Sequence, residues 1–179
     1  MFPTLETERL ILREIVLEDA EHIFSYFSLD EVTKYYGIPT FETIDQAKKL
    51  IEGFETGFLH KRGIRWGIER KGTKGIIGTI GFNLWSPMHR KAEVGYEIHP
   101  DFWRAGYISE ALQKVVDYGF QELKLTRIGA VVFIENVASN QLLMKQGFEK
   151  EGVLKKYIYQ NDKAHDVNIF AKVVQEENH

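Results

Sequence analysis

The run Ile98-His99-Pro100-Asp101-Phe102-Trp103-Arg104-Ala105-Gly106-Tyr107-Ile108-Ser109-Glu110-Ala111 ends a strand, crosses a short loop and opens a helix. A helix N-terminus presents unpaired N–H groups and a partial positive charge, which suits a phosphate or pyrophosphate. Arg104 adds a formal positive charge, and Gly106 lets backbone approach an anion closely. The same residues also fit an ordinary turn. Neither G-x-G-x-x-G nor G-x-x-x-x-G-K-[ST] occurs, which argues against a Rossmann dinucleotide site or a P-loop. Just upstream, Lys91 to His99 alternates strictly. Ala92, Val94, Tyr96 and Ile98 share one face, and Glu93, Gly95, Glu97 and His99 the other, so two carboxylates project from one side of a strand. His165-Asp166 joins an imidazole to a carboxylate, as a candidate base or simply a turn. There is no cysteine, hence no thiolate nucleophile and no disulfide framework. The six histidines show no metal-ligand spacing, so no metal is expected.

The elements that must position these groups are read from hydrophobic period. Arg9 to Arg13 is a short strand, and a helix opens at Leu17 with Ile23, Tyr26 and Phe27 on one face. Thr43 is the expected N-cap of a second helix carrying Ala47, Leu50, Ile51, Phe54 and Phe58 at spacings of three and four. The period then switches to two: Ile64 to Glu69, and Ile76 to Trp85 with Ile76, Ile80, Phe82 and Leu84 in phase. Lys91 to His99 follows, then a helix from about Ile108 to Leu123 with Leu112, Val115, Val116 and Phe120 on one stripe. Thr126 to Ile134 is a strand, and Ala138 to Gln146 a short helix ended by Gly147. Strands near Val153 to Tyr159 and Val167 to Val173 close the chain. The order β-α-α-β-β-β-α-β-α-β-β predicts an α/β mixed sheet with helices on both faces.

With 179 residues, 44% hydrophobic and 27% charged, one domain over 1–179 is expected. The formal charge of −3 is spread along the chain, without a wide basic face for a phosphate backbone, so no nucleic acid partner is expected. No run approaches a membrane span, and the first residues show no secretory pattern. A cytoplasmic location and no membrane contact are therefore expected, and the lack of cysteine agrees with a reducing compartment.

The segment Ile98 to Tyr107 resembles the acetyl-CoA loop of the GNAT superfamily, in the form found in Rim-type ribosomal-protein N-acetyltransferases. Asn136-Val137-Ala138-Ser139-Asn140, Gly147-Phe148, Glu151-Gly152, Asp166-Val167-Asn168 and the opening Thr7-Glu8-Arg9-Leu10 match in the same order. The resemblance implies a GNAT fold: a mostly antiparallel seven-stranded sheet, splayed as a V between its fourth and fifth strands. Acetyl-CoA would be the co-substrate, with backbone near Ile98 bonding the pantetheine arm. The amides of Arg104, Ala105, Gly106, Tyr107, Ile108 and Ser109 would hold the pyrophosphate, and Asn136 would contact the cofactor or cap its helix. Ser139 matches a serine that protonates the leaving thiolate, and otherwise fits a helix-start residue bonding local backbone.

The match has departures. Ile108 stands where the motif has Gly or Ala. Leu143 stands where many members carry a tyrosine acid, and Ile158 where the Rim-type branch has a glutamate base. A primary amine is largely protonated at neutral pH, so a base is needed near the sulfur. Glu93 is the first candidate and Glu97 the second; both also fit as solvated strand residues. Tyr35 and Tyr36, in the loop between the first two helices, are candidates for the acceptor side. The acceptor is expected to be a protein N-terminal amine. The alternatives are a polyamine, amino acid or aminoglycoside, or a silent acyl-CoA-binding domain. The protein is expected as a monomer or homodimer.

Overall fold

A computed structural model describes residues 1–175. The elements are β1 (Leu5–Glu6), β2 (Leu10–Glu14), α1 (Ala20–Phe27), α2 (Asp30–Thr33), α3 (Ile44–Leu59), β3 (Ile64–Arg70), β4 (Ile76–Ser86), β5 (Lys91–Ile98), α4 (Tyr107–Gln121), β6 (Arg127–Phe133), α5 (Val137–Lys145), β7 (Glu149–Gln160) and β8 (Lys163–Val173). They form one sheet in the order β1-β2-β3-β4-β5-β6-β8-β7. Its strand count is eight rather than seven. The extra strand is β1, whose two residues pair with β2 but are too few to display alternation. The four-residue α2 is likewise too short to show a helical period.

Every neighbouring pair is antiparallel except β5 and β6. Their parallel ladder covers only Lys91 opposite Arg127, Ala92 opposite Ile128 and Glu93 opposite Gly129. Beyond that level β5 stays bonded to β4 through Ile98, and β6 stays bonded to β8 through Phe133. The two strands therefore part from Val94 and Ala130 onward, each still held by its other neighbour. This is the V, and the fourth and fifth strands of the expected seven are β5 and β6.

The helices cover opposite faces. Ala111, Leu112, Val115 and Val116 of α4 pack with Trp66, Ile80 and Phe82 in one core. Ile23, Tyr26 and Phe27 of α1 and Ala47 and Ile51 of α3 pack with Ile15 and Ile76 in the other. Each fully buried large side chain contributes roughly 1.5–3 kcal/mol. Ile76 and Ile80 enter different cores because Ile68 faces Gly78 while Glu69 faces Ile76, which leaves Ile77 as a bulge that shifts the phase. Leu84 departs from the expected inward stripe: its φ is +48° and it is 69% exposed, where the β4–β5 register also breaks. At the start of α3 the Gln46 side chain accepts from the backbone N–H of Thr43 at 3.0 Å, which fixes the expected N-cap.

Candidate active site

Gly106 is the N-cap of α4 and takes a left-handed backbone, φ +79°. Arg104 is also left-handed, φ +62°, so the chain turns twice within three residues. Arg104, Ala105 and Gly106 are exposed, and Tyr107, Ile108 and Ser109 partly so. Among the described residues, no hydrogen bond engages the amides of residues 104–109 as donors. A string of free N–H groups at the start of a fifteen-residue helix is what a pyrophosphate requires.

The loop is held from outside. Arg9 donates to the Ala105 carbonyl at 2.9 Å and to Glu110 at 2.7 Å, and its guanidinium lies 4.4 Å from the Tyr107 ring centre. Thr7 donates to the other Glu110 oxygen at 2.7 Å, as does the Arg9 amide at 2.8 Å. Burial would raise the Glu110 carboxyl, but these bonds outweigh it and hold the group below the ordinary glutamate range. Gln146, just past α5, donates to the Ser109 hydroxyl at 2.8 Å. Ile108 packs against the α4 core, so its bulk is directed inward and away from the amide string.

The V lies between β5 and the β6–α5 unit. Ile98 is buried, and its carbonyl already accepts from the Trp103 indole at 3.0 Å. Asn136 caps α5 by accepting from the Ser139 amide at 3.3 Å. Asn140 donates to the Asn136 carbonyl at 2.7 Å and accepts from Asn168 of β8 at 2.7 Å, which ties the helix start to the sheet. Ser139 is thus fixed at the mouth of the V. Its hydroxyl lies 2.6 Å from that of Tyr96, on β5 three residues past the last paired level. Burial pushes the Tyr96 phenol up to about 12, with the Ser139 hydroxyl opposing. Leu143 is fully buried in the core.

The polar face of β5 carries Glu93, Gly95 and Glu97. Glu97 is 6% exposed and accepts from Arg65 at 2.6 Å, from Tyr26 at 3.3 Å and from Thr79. Arg65 is also buried, donates to Tyr36 at 2.6 Å and to Thr79 at 2.8 Å, and lies over the Phe54 ring. Glu97 is therefore the acceptor of a closed, charge-balanced network. Glu93 differs. It is half-buried beside Gly129, and among the described residues it has no hydrogen bond or ion pair with another side chain. Burial raises its carboxyl above the ordinary value, with Arg127 and then Lys91 pulling the other way.

Tyr35 and Tyr36 join the two halves of the sheet. Tyr36 reaches β3 and β5 through Arg65, while the Tyr35 ring meets Phe133 of β6 at 6.0 Å, and Phe133 stacks on His165 at 5.0 Å. Gln160, buried at the end of β7, pins this loop by donating to Thr33 and Ile38 carbonyls at 2.8 and 3.1 Å and accepting from Gly37 N–H at 3.1 Å. Ile158 lies beside Gly37 and presents only methyl groups there. His165 lies on β8 opposite Ile158, and its ring contacts the Gln160 carbonyl at 3.2 Å. The structure brings Ser139 and Asn136 together with Tyr96 at the V, two residues before Ile98. It leaves Glu93 at the last paired level of β5 and β6, on the opposite face of β5 from Tyr96. The amides of Arg104 to Ser109 are grouped at the start of α4, and Tyr35 and Tyr36 lie across the other face. Glu97 is drawn into the network beneath.

Tyr96, Arg9, Glu110, Gln146 and Gln160 were not legible as site residues. Tyr96 falls on the apolar stripe of β5, where a hydroxyl is indistinguishable from core. Thr7 and Arg9 carried a signal only as part of a family-like opening. Among the described residues no group of three or more His, Asp or Glu could hold a metal, and no helix is long and apolar enough to cross a membrane.

The chain is similar to known proteins along most of its length. The family model for the acetyltransferase (GNAT) domain matches residues 9–149. The chain is 58% identical over 173 residues to the uncharacterized N-acetyltransferase YoaA of Bacillus subtilis (strain 168), covering 97% of this chain and 98% of the relative. It is 32% identical over 130 residues to the ribosomal-protein-serine acetyltransferase of Escherichia coli (strain K12), covering 73% and 72%. A crystal structure of a GNAT-family acetyltransferase from Bacillus anthracis superposes with a TM-score of 0.85 at 27% identity, covering 96% and 98%.

Proposed function

The chain belongs to the GNAT acetyltransferase family, and we propose that the amine it acetylates is the N-terminal amine of a protein, a ribosomal protein being the first candidate. It is an acetyl-CoA-dependent N-acetyltransferase. The observation that carries the acceptor reading is the charge balance of β5. Glu97 is neutralised by Arg65, so on that face Glu93 is the carboxylate left without an ion-pair or hydrogen-bond partner among the described residues, with Arg127 and Lys91 acting on it only from a distance. One anion serves one ammonium group, whereas a polyamine would require several. The likeness to a ribosomal-protein-serine acetyltransferase supports the same choice.

Acetyl-CoA supplies a thioester carbonyl open to attack by an amine, and a thiolate leaving group. In this reading the residue 104–109 amides bind the pyrophosphate and backbone near Ile98 lies along the pantetheine arm. Glu93 removes a proton from the ammonium, directly or through water, and Ser139 returns one to the sulfur. Tyr35 and Tyr36 form the acceptor wall, with Asn136 orienting the Ser139 turn. We further read the chain as one cytoplasmic domain, a monomer or homodimer, making no direct nucleic-acid or membrane contact.

Thiol release from acetyl-CoA should be followed with Ser- and Ala-starting N-terminal peptides, spermidine, free amino acids and an aminoglycoside. The peptides should turn over at least tenfold more efficiently than the small amines. Spermidine outpacing every peptide would contradict the acceptor reading while leaving acetyl transfer intact.

A further inference from the structure

The chain places Leu143 where the family resemblance implies a tyrosine acid, yet a different phenol stands at the V. Tyr96 projects from β5 at a level where β6 has already parted, and its hydroxyl meets that of Ser139 at 2.6 Å. This bond runs from the strand on one side of the opening to the helix on the other. Tyr96 is the inner member, with its ring packed against the α4 core; Ser139 is the outer one, next to exposed Val137 and Ala138. Asn136 fixes the Ser139 backbone, and the Asn140–Asn168 pair fixes the turn that carries it. An aliphatic hydroxyl is a poor acid, because the alkoxide it leaves is costly. A phenol is a better one, with an ordinary value near about 10. Burial pushes Tyr96 up to about 12, which weakens it as an acid but keeps it protonated in the neutral range and still a better donor than an aliphatic hydroxyl.

We propose that Tyr96 is the positioning and proton-supplying partner of Ser139, so that the proton given to the departing sulfur is replaced on Ser139 from the Tyr96 phenol. The step balances as follows. The amine nitrogen forms its bond to the acetyl carbon, and the carbon–sulfur bond breaks with its electron pair going to sulfur. Ser139 Oγ gives its proton to that sulfur, and the Tyr96 O–H proton moves to Ser139 Oγ. The acylated nitrogen sheds its surplus proton to water and the phenolate takes one back from the hydronium so formed, so the net change is one proton moved from nitrogen to sulfur. This inference rests on Ser139 as the immediate donor, and it requires the hydroxyl of Tyr96, not merely its ring.

The test compares wild type, Tyr96→Phe, Ser139→Ala and the double variant, using the fastest amine of the panel above. Tyr96→Phe should lower kcat ~10-fold or more, with KM for acetyl-CoA within twofold of wild type. The double variant should be no slower than Ser139→Ala alone, because Tyr96 acts only through Ser139. An independent readout is the ¹³C resonance of the Tyr96 ζ carbon, assigned by its loss in Tyr96→Phe. It should keep its protonated position to pH 11 and shift at pH 7 on Ser139→Ala. Unchanged kcat in Tyr96→Phe with a loss in Ser139→Ala would overturn the Tyr96 role while sparing Ser139. A loss in Tyr96→Phe with none in Ser139→Ala would overturn the relay, making the phenol act alone. A resonance indifferent to Ser139→Ala would overturn the hydrogen bond itself.

Discussion

Glu93 and Glu97 lie four residues apart on one strand face, and their surroundings make opposite demands on a carboxylate. Glu93 is half-buried without a hydrogen-bonded cation, and its proton is held to a higher pH than on a surface glutamate. A raised acid favours the protonated form, so the stability it contributes is present below the ordinary carboxylate range and lost as pH rises through the raised value. At neutral pH the Glu93 anion is therefore a small cost to the fold. Glu93→Gln should melt at the wild-type temperature or slightly above while turnover falls ~10- to 100-fold. Part of the rate should return at higher pH, where more of the amine is already neutral. Unchanged turnover across pH would make Glu93 a strand residue only. Glu97→Gln should behave in reverse. It leaves the buried Arg65 charge uncompensated, at roughly 3–5 kcal/mol, so its melting temperature should fall by roughly 10 °C. A scanning calorimeter separates the two. Alternation alone placed both carboxylates on one face. It could not distinguish them, because Arg65 comes from a strand 32 residues away from Glu97 in sequence. Tyr96 was hidden for a related reason: its stripe is apolar, and only the parting of β5 from β6 turns its hydroxyl toward Ser139.

At the scale of elements, the opening segment of the chain acts as a clasp on α4. Arg9 and Thr7 share Glu110 between them, and Arg9 also holds the Ala105 carbonyl. The Arg9 side chain is 43% exposed, so its ion pair contributes little to global stability. Its effect is on loop order. Arg9→Ala should weaken acetyl-CoA binding about tenfold, the equivalent of ~1.4 kcal/mol, with a melting temperature within a few degrees of wild type. Titration calorimetry measures the first and a thermal melt the second; a fully retained affinity would show that the loop holds its shape unaided. The helices and longer strands followed from period and capping, as with Thr43 before α3 and Gly147 after α5. The expected phase failed at Leu84, where a register break and a positive φ override the pattern. The two-residue β1 and four-residue α2 lie below the length at which period can speak.

Across the whole molecule, the sheet is two bonded halves joined at three residue levels of β5 and β6. No stretch of sequence records that divergence, since β5 and β6 each alternate as ordinary strands. It entered the reading through the resemblance. A ligand whose arm lies in the V and whose pyrophosphate sits on α4 touches both halves. It should therefore stabilise the fold by mass action, about 2.7 kcal/mol at a hundredfold excess over Kd. The most direct measurement is titration of acetyl-CoA into wild type and Gly106→Val, with melts of both in parallel. A β-branched residue is strained at φ +79° by roughly 1–2 kcal/mol, which displaces the amide string without removing the α4 core. Wild type should bind with a micromolar or tighter Kd and melt several degrees higher with ligand. Gly106→Val should keep its far-ultraviolet circular dichroism and lose both effects. Wild-type affinity in a folded Gly106→Val variant would contradict the account, because the cofactor would then be held somewhere other than the start of α4.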